Sequence, residues 1–156
     1  MTLHSLLDES LVLHRLAARD REGILREMSA NLEARHETVL GGVLLESLLK
    51  REELGTTAIG RGVAIPHCRT KGLRSPILQL GLSKDGVPFE AVDGKPVHVF
   101  FLLVSPEDNP SAGLRLLAAI ATLTRESRTL AAKLLKAPTG VDVLNTLRAE
   151  EEKTRG

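Results

Sequence analysis

The first part of the chain shows one strand-like apolar run followed by a stretch with helical periodicity. The run SLVLHRL at residues 10–16 predicts a first strand. Over residues 19–36, apolar side chains recur every three or four positions, which predicts a helix with Asp20 as a candidate N-cap. The side chains that carry this periodicity are Ile24, Leu25, Met28 and Leu32.

A second helix is predicted over residues 37–54, where leucines form a stripe and Gly55 is a candidate stop residue. The pair Gly41–Gly42 disfavours a regular first turn, because glycine loses more backbone freedom in a helix than other residues do. The stripe consists of Leu40, Leu44, Leu48 and Leu49.

Three later apolar runs are bounded by glycine or proline and therefore predict strands. They span residues 63–65, 76–83 and 96–104. The segment between the last two runs, residues 83–96, contains two Asp-Gly pairs. At least one tight reversal is expected there, which makes the two flanking strands antiparallel.

Past Pro110 the pattern becomes helical again, and the chain ends in charged residues. Helices are predicted over residues 112–127, 128–137 and 140–152, and the charged tail at 150–156 is expected to fray. Nearly continuous apolar strands with helices before and after them indicate a mixed β-sheet covered by helices on both faces. The predicted fold class is α/β, called α+β in some schemes, in a single domain over residues 1–156.

Composition supports a globular domain and argues against several functions. The 156 residues are 42% hydrophobic and 26% charged, which is ordinary globular usage. Three phenylalanines, with no tryptophan or tyrosine, leave no aromatic platform on which a base or a sugar would stack. The 21 basic and 20 acidic residues give a net charge of +1, which provides no field for a polyanion. Nucleic acid is therefore not an expected partner.

The expected location follows from cysteine usage and from the N-terminal residues. A single cysteine cannot form an internal disulfide, and the N-terminus has acidic residues where a secretory signal has a basic flank and a long apolar stretch. The longest apolar run, around VFFLLV, is too short to span a bilayer. We expect a cytoplasmic protein that does not insert into a membrane.

The segment GRGVAIPHCRT at residues 60–70 is the first candidate for chemistry, because it delivers a histidine at a strand end. Pro66 has no N–H to donate to a sheet and favours an extended Ile65, so a short strand should end there with His67 just beyond it. Strand ends are common ligand sites in sheets with helices on both faces. The alternative is that His67 is an ordinary exposed turn residue.

Several nearby residues carry groups that suit a phosphate. Arg51 falls in the last turn of the second predicted helix, where a cation is also favourable against the helix dipole. A guanidinium matches phosphate oxygens in pairs, so this arginine beside a strand-end histidine would form a phosphoryl site. Thr56 and Thr57 are candidate hydroxyl donors. Gly60 and Gly62 would let the backbone approach a bound anion or a partner, or they form a simple loop.

The stretch REELGTTAIGRGVAIPHCR closely resembles the signature of the bacterial phosphotransferase-system enzyme IIA of the fructose/mannitol type. A second stretch, FEAVDGKPVHVFFLLVSPED, is similar to another part of that family, and the likeness covers essentially the whole chain. The resemblance implies that His67 is phosphorylated on Nε2 and that Arg51 binds the phosphate. Without a IIB, IIC or HPr-like segment, the sequence looks most like the stand-alone nitrogen-regulatory members.

The same resemblance implies partners and a function. The donor would be an HPr-type phosphocarrier, and no cofactor, magnesium or other metal ion is expected. The chain would regulate a partner protein through its phosphorylation state. Two alternatives stay open: an interaction module with the IIA fold that is not phosphorylated, and a IIA component that passes phosphate to a sugar-specific IIB domain.

One position departs from the family pattern. The family carries a second active-site histidine just before the helix that follows its Pro-Glu turn, and Gly113 stands there in this chain. Ser111 and Asn109 are candidate substitutes for the missing side chain. The departure leaves open whether phosphate can be passed onward from His67.

The remaining reactive side chains receive structural interpretations. Cys68 is expected to be an inert thiol, and His98 a structural residue of an apolar strand. No G-x-x-x-x-G-K loop is present, so nucleotide binding has no support. No metal site is predicted, because three further histidines lack ligand spacing and a cysteine partner. These are His4, His14 and His36.

Overall fold

The computed structural model describes residues 2–36 and 42–155 and places a mixed sheet at the centre of the molecule. The strands are β1 (Val12–Leu13), β2 (Ala58–Gly60), β3 (Val63–Ala64), β4 (His67–Thr70), β5 (Ile77–Val87) and β6 (Val97–Pro106). The helices are α1 (Arg21–Arg35), α2 (Leu44–Glu53), α3 (Pro110–Glu126), α4 (Leu130–Lys136) and α5 (Gly140–Arg155). Two short 3-10 helices, His4–Leu6 and Glu9–Leu11, precede β1.

The sheet is organised around β6, which pairs with three other strands. Its order is β1-β5-β6-β3-β2, with β4 also on β6. The long strands β5 and β6 are antiparallel, as predicted, whereas β3 and β4 both run parallel to β6 along the same edge. The strand β1 is parallel to β5, and β2 is antiparallel to β3. This arrangement confirms the predicted mixed sheet.

Helices cover both faces of this sheet. Successive side chains of a strand point to opposite faces, so Gln79 and Gly81 of β5 face away from Leu80. The amide of Gln79 donates to the carbonyl of Met28 in α1 at 3.0 Å, which places α1 on that face. Leu80 pairs with Phe101 of β6, on the face that also presents Ser105 to α3. The core between these layers contains Leu78, Leu80, Leu82, Val99, Phe100, Phe101, Leu102 and Leu103, all at most 1% exposed.

The first two helices begin differently from each other. Asp20 caps α1 as predicted, because its carboxylate accepts the N–H of Gly23 at 2.7 Å. Among the described residues, α2 begins at Leu44, because Gly42 before it has φ +78° and does not continue a helix. The predicted positions Leu40 and Gly41 lie outside the described residues.

The first strand is shorter than expected, and the expected reversal between β5 and β6 falls at the second of the two Asp-Gly pairs. The first strand is only two residues long, because Glu9–Leu11 forms a 3-10 turn before it. The pair Asp85–Gly86 does not reverse the chain: it lies inside β5, where Gly86 has φ +82° and the pairing register with β6 shifts. The second Asp-Gly pair does form a turn, in which the N–H of Gly94 donates to Ala91 at 2.9 Å.

The charged C-terminal tail does not fray, contrary to expectation. The helix α5 continues through Arg155, and both Glu150 and Glu151 are buried. The carboxylate of Glu151 accepts the backbone N–H groups of Leu3 and His4, each at 2.7 Å. Glu150 pairs with two lysines, Lys133 of α4 and Lys153 of α5. Glu151 therefore holds the N-terminal residues against α5, and Glu150 holds α4 against it. Within 2–36 and 42–155, no helix has the length and apolarity needed to cross a membrane.

Candidate functional site

His67 lies where the chain resumes a strand after a short interruption. Pro66 cannot donate a backbone hydrogen bond, so β3 stops at Ala64 while the carbonyl of Pro66 still accepts from Leu103 at 2.9 Å. His67 then begins β4 and pairs with Leu103 of β6. The predicted strand end is therefore a break between two strands, and His67 is the first residue of the second one.

The hydrogen bonds of the His67 ring define which nitrogen carries its proton. Nδ1 lies 2.6 Å from the carbonyl oxygen of Ile65, and Nε2 lies 3.3 Å from Nε of Arg51. A guanidinium can only donate and a carbonyl can only accept. The ring is therefore held as the neutral tautomer with its proton on Nδ1 and a bare lone pair on Nε2.

The surroundings of His67 favour this neutral form. The side chain is half-buried, and its burial lowers the pKa of His67 from the ordinary value, with the nearby guanidiniums of Arg51 and Arg69 acting in the same direction. The bond from Nδ1 to the Ile65 carbonyl opposes these effects and raises the pKa, but by less than burial lowers it. At neutral pH the Nε2 lone pair is thus available to an electrophile.

This lowered pKa gives a prediction for acid pH. An NMR titration of the His67 ring protons should give a midpoint below the reference value of about 6.5. Because the unfolded chain then binds more protons than the folded chain, the free energy of unfolding should fall as the pH drops through about 6.5. The loss should be smaller in His67→Gln than in the unchanged protein. A midpoint at or above the reference value would contradict the environment described here.

Arg51 reaches His67 from the last turn of α2, and a second hydrogen bond steadies it. Its Nη1 donates to the carbonyl of Gly55 at 2.9 Å, just past the end of the helix. Gly55 has φ +142°, a conformation open to glycine, so the chain can turn there and offer this carbonyl. The structure thus brings Arg51 and His67 together, with the guanidinium fixed beside the ring rather than extended into solvent.

The two threonines contribute to the frame of the site and not to its open surface. The hydroxyl of Thr56 donates to the carbonyl of Phe89 at 2.6 Å. The hydroxyl of the buried Thr57 donates to the carboxylate of Glu52, which also accepts the N–H of Thr57 at 3.2 Å. Both predicted hydroxyl donors are therefore already engaged. Burial raises the pKa of Glu52, against the opposing effect of these bonds from Thr57.

Thr57 nevertheless supports the histidine through the backbone. Its carbonyl accepts the N–H of Ile65 at 3.0 Å, and the carbonyl of Ile65 in turn receives Nδ1–H of His67. Glu52 anchors Thr57, and it neighbours Arg51 in α2. One continuous set of hydrogen bonds therefore links the helix that carries the arginine to the carbonyl that fixes the tautomer of the histidine.

Gly60 and Gly62 are not brought to His67. Gly60 ends β2 and Gly62 directly precedes β3, with φ of +90° and +78°. The carbonyl of Gly62 accepts the N–H of His98 near the start of β6, whereas His67 pairs further along that strand. Their positive φ values explain the glycines as turn residues, and the expected approach of their backbone to an anion beside His67 does not match this placement.

Two residues that the sequence reasoning missed lie beside His67. A cavity of about 110 Å³ is lined by His67, Arg69, Ser105 and Gly113, with Pro110 and three leucines. Arg69 follows His67 by two positions on β4, so the alternation of side chains along a strand could have indicated that they share a face. Ser105 belongs to β6, and only the parallel pairing of β4 with β6 brings it opposite Arg69.

Gly113 packs against this cavity with no room for a side chain. A Cβ atom added there would lie 2.7 Å from Oγ and 2.8 Å from Cβ of Ser105. The close approach of α3 to β6 thus requires glycine at this position. The candidate substitutes Ser111 and Asn109 hydrogen-bond each other at 2.8 Å at the exposed start of α3.

The other reactive side chains have structural surroundings. Burial raises the pKa of the Cys68 thiol to about 12, so the thiolate is not populated at neutral pH. Nδ1 of His98 lies 2.9 Å from the carbonyl of Ser83 across the β5 bulge. A larger groove of about 510 Å³ runs along α4 and α5, with Lys133 among its lining residues and without any of the predicted site residues.

Comparisons with known proteins agree with the resemblance seen in the signature stretch. A family model described as "Phosphoenolpyruvate-dependent sugar phosphotransferase system, EIIA 2" matches residues 5–150. A nitrogen regulatory protein of Bradyrhizobium diazoefficiens is 35% identical over 129 residues, which are 81% of this chain and 82% of that protein. One of Pseudomonas aeruginosa is 42% identical over 98 residues, 62% of this chain.

The chain spans very different shares of its relatives. It covers 64% of the Pseudomonas aeruginosa protein, and 19% of a fructose-specific EIIABC component of Bacillus subtilis to which it is 31% identical over 123 residues. The alignment with the Bacillus subtilis protein covers 79% of this chain.

Solved structures repeat the architecture. The nitrogen regulatory protein IIA-Ntr of Neisseria meningitidis superposes with a TM-score of 0.82 at 28% identity, over 93% of this chain and 98% of that one. The mannitol IIA of Escherichia coli shares the fold with a TM-score of 0.76 at 15% identity, over 90% and 98% of the two chains. With its family model matched across residues 5–150, this chain belongs to the EIIA type 2 family of the phosphoenolpyruvate-dependent sugar phosphotransferase system.

Proposed function

We propose that this protein is a phosphocarrier that accepts a phosphoryl group on Nε2 of His67 from an HPr-type phosphohistidine donor. We further propose that its phosphorylation state regulates partner proteins. The observation that carries the proposal is the pairing of a bare Nε2 with the guanidinium of Arg51, 3.3 Å away. A nucleophilic lone pair and a phosphate-binding cation meet at one point that is half open to solvent.

The transfer needs a nucleophile, an in-line approach and positive charge around the phosphoryl oxygens. The lone pair of Nε2 attacks phosphorus, the P–N bond of the donor phosphohistidine breaks, and its electron pair returns to the donor ring. The proton on Nδ1 of His67 stays in its bond to Ile65, so the phosphorylated ring keeps a compensating positive charge. Arg51 turns from Nε2 to the phosphoryl oxygens, which a guanidinium binds in pairs.

Regulation would follow from the charge that the phosphoryl group adds. A phosphoryl group contributes roughly −1.5 to −2 charges near pH 7, at a site that is otherwise flanked by two arginines. A partner surface that is attracted to the free protein would then be repelled, or the reverse. The relatives named as nitrogen regulatory proteins support a regulatory role over sugar transfer.

The proposal is tested by incubating the protein with phosphoenolpyruvate, the first enzyme of the phosphotransferase chain and HPr, followed by intact mass measurement. The unchanged protein and the control His36→Gln should each gain one phosphoryl group, and His67→Gln should gain none. Absence of any gain would overturn the proposal in favour of a non-phosphorylated interaction module. Rapid loss of the group on adding a sugar-specific IIB domain would overturn the regulatory part in favour of a sugar-transfer component.

A further inference from the structure

The cavity beside His67 holds two polar side chains that the transfer described so far does not use. Arg69 and Ser105 are Cα partners in the parallel pairing of β4 with β6. Both line the cavity of about 110 Å³ that reaches the imidazole of His67. Arg51 approaches the ring from α2 and is not part of this lining. The ring is therefore flanked by one guanidinium from the helix and by a second polar pair from the sheet.

Arg69 is placed to act on the phosphoryl group without rearrangement of the backbone. Because it follows His67 by two residues in β4, both side chains project from the same face of the sheet. Its positive charge already acts on the His67 ring. The side chain is exposed, and no ion-pair partner for it lies within residues 2–36 and 42–155. A free guanidinium on the same strand face and in the same cavity as His67 is thus available to an anion.

Ser105 lines the cavity directly beside Gly113, and the two residues are in close contact. Ser105 is 6% exposed, and a Cβ at position 113 would lie 2.7 Å from its Oγ. Any side chain at 113 would therefore overlap the hydroxyl and displace it or the helix. The glycine that stands at the position of the family's second histidine thus lies beside a neutral hydroxyl donor that lines the same cavity as His67.

We propose that Arg69 and Ser105 form the second half of the phosphoryl site, binding the oxygens that Arg51 does not reach. The inference rests on the proposed function, because it concerns the same phosphoryl group on Nε2 of His67. The guanidinium of Arg69 donates to one or two oxygens, and the Ser105 hydroxyl donates to another. In this arrangement Arg69 supplies a fixed cation and Ser105 a neutral donor in place of the imidazole of the family's second histidine. Neither side chain gains or loses a proton during transfer.

The test uses potassium phosphoramidate as donor, because this small molecule delivers a phosphoryl group without a docking surface. Its P–N bond breaks as the Nε2–P bond forms, and ammonia leaves. Arg69→Gln should slow phosphorylation of His67 about 10- to 100-fold, and Ser105→Ala about 10-fold, as expected for lost hydrogen bonds to a charged group. The matched controls Lys71→Gln and Ser127→Ala should react at the unchanged rate.

A second readout separates phosphate binding from a structural role. In the phosphorylated protein, the ³¹P resonance should titrate at a higher pH in Arg69→Gln than in the unchanged protein, because a nearby cation favours the dianionic phosphoryl group. Lys71→Gln should leave that midpoint in place. Urea unfolding of Ser105→Ala checks that its slower reaction is not caused by loss of the folded state. If Ser105→Ala does not fold, Arg69→Gln still tests the inference, because Arg69 is exposed and its replacement should not affect folding.

The outcomes distinguish the inference from the proposed function. If the unchanged protein gains no phosphoryl group from either donor, the proposed function itself fails. If it is phosphorylated and both variants react with phosphoramidate at the unchanged rate, only the second half-site is overturned. If Arg69→Gln slows transfer from HPr but not from phosphoramidate, Arg69 binds the donor protein and the inference is also overturned.

Discussion

Replacing Arg51 with alanine should slow the phosphorylation of His67 by about 10²- to 10³-fold, the usual effect of removing one preorganised donor from a site of developing charge. In the resting protein Nε of Arg51 points at Nε2, and Nη1 is tied to the carbonyl of Gly55. The guanidinium is therefore already oriented when the donor arrives. Arg51→Lys keeps the charge but cannot make both contacts, so its rate should lie between those of the alanine variant and the unchanged protein. The initial rate with HPr as donor is the measurement.

The neighbouring Lys50 provides the control for this prediction. It also lies in the last turn of α2, but it pairs with Glu46 on the exposed side of the helix. Lys50→Ala removes the same charge from the same helix and should leave the rate of phosphorylation unchanged. If Arg51→Lys reacted as fast as the unchanged protein, the fork geometry would play no part and the assignment of Arg51 to the phosphate would be wrong.

Introducing a histidine at position 113 should destabilise the protein by about 1–3 kcal/mol, as overpacking of a close contact does. The first atom of any side chain there would lie 2.7 Å from Oγ and 2.8 Å from Cβ of Ser105. Replacing Ser105 with alanine would not relieve the contact, because alanine keeps the Cβ atom that lies 2.8 Å away. The helix α3 would have to move away from β6, which would disturb the cavity beside His67. Urea unfolding of Gly113→His measures the loss.

Ala118→His is the matched variant for this measurement. It places the same side chain on the exposed face of α3, where surface substitutions change stability by about 0.5 kcal/mol or less. Gly113→His should also fail to speed phosphoryl transfer, because the histidine cannot enter the site with α3 in place. A Gly113→His protein as stable as Ala118→His, with faster transfer, would show that close packing is not what excludes the second histidine.

The apolar strands were predictable because their pattern depends on burial alone. The runs at 76–83 and 96–104 became the long central strands β5 and β6. Other features depend on a tertiary partner that decides between two local structures. Asp85–Gly86 fits a turn or a bulge equally well, and pairing with β6 selects the bulge. The charged tail was expected to fray because nothing in its own sequence shows that Glu151 binds the N-terminal backbone.

The candidate site divides in the same way between local and distant information. The stretch from Arg51 to His67 carries a recognisable signature, so the closeness of these two side chains could be predicted from sequence. The threonines were assigned to the phosphate because an unpaired hydroxyl and one already bonded to Glu52 look identical in sequence. Ser105 was missed because only the pairing of β4 with β6 brings it near His67.

The phosphoryl site proposed at His67 is tested most directly by the state of its two ring nitrogens. They are measured by NMR on protein labelled with ¹⁵N in its histidines, before and after phosphorylation. We expect the free protein to carry the ring proton on Nδ1, bonded to the carbonyl of Ile65, with Nε2 bare beside Arg51. After phosphorylation, the coupling to phosphorus should belong to Nε2. A free protein protonated on Nε2, or a phosphoryl group bonded to Nδ1, would contradict this assignment of the two ring nitrogens.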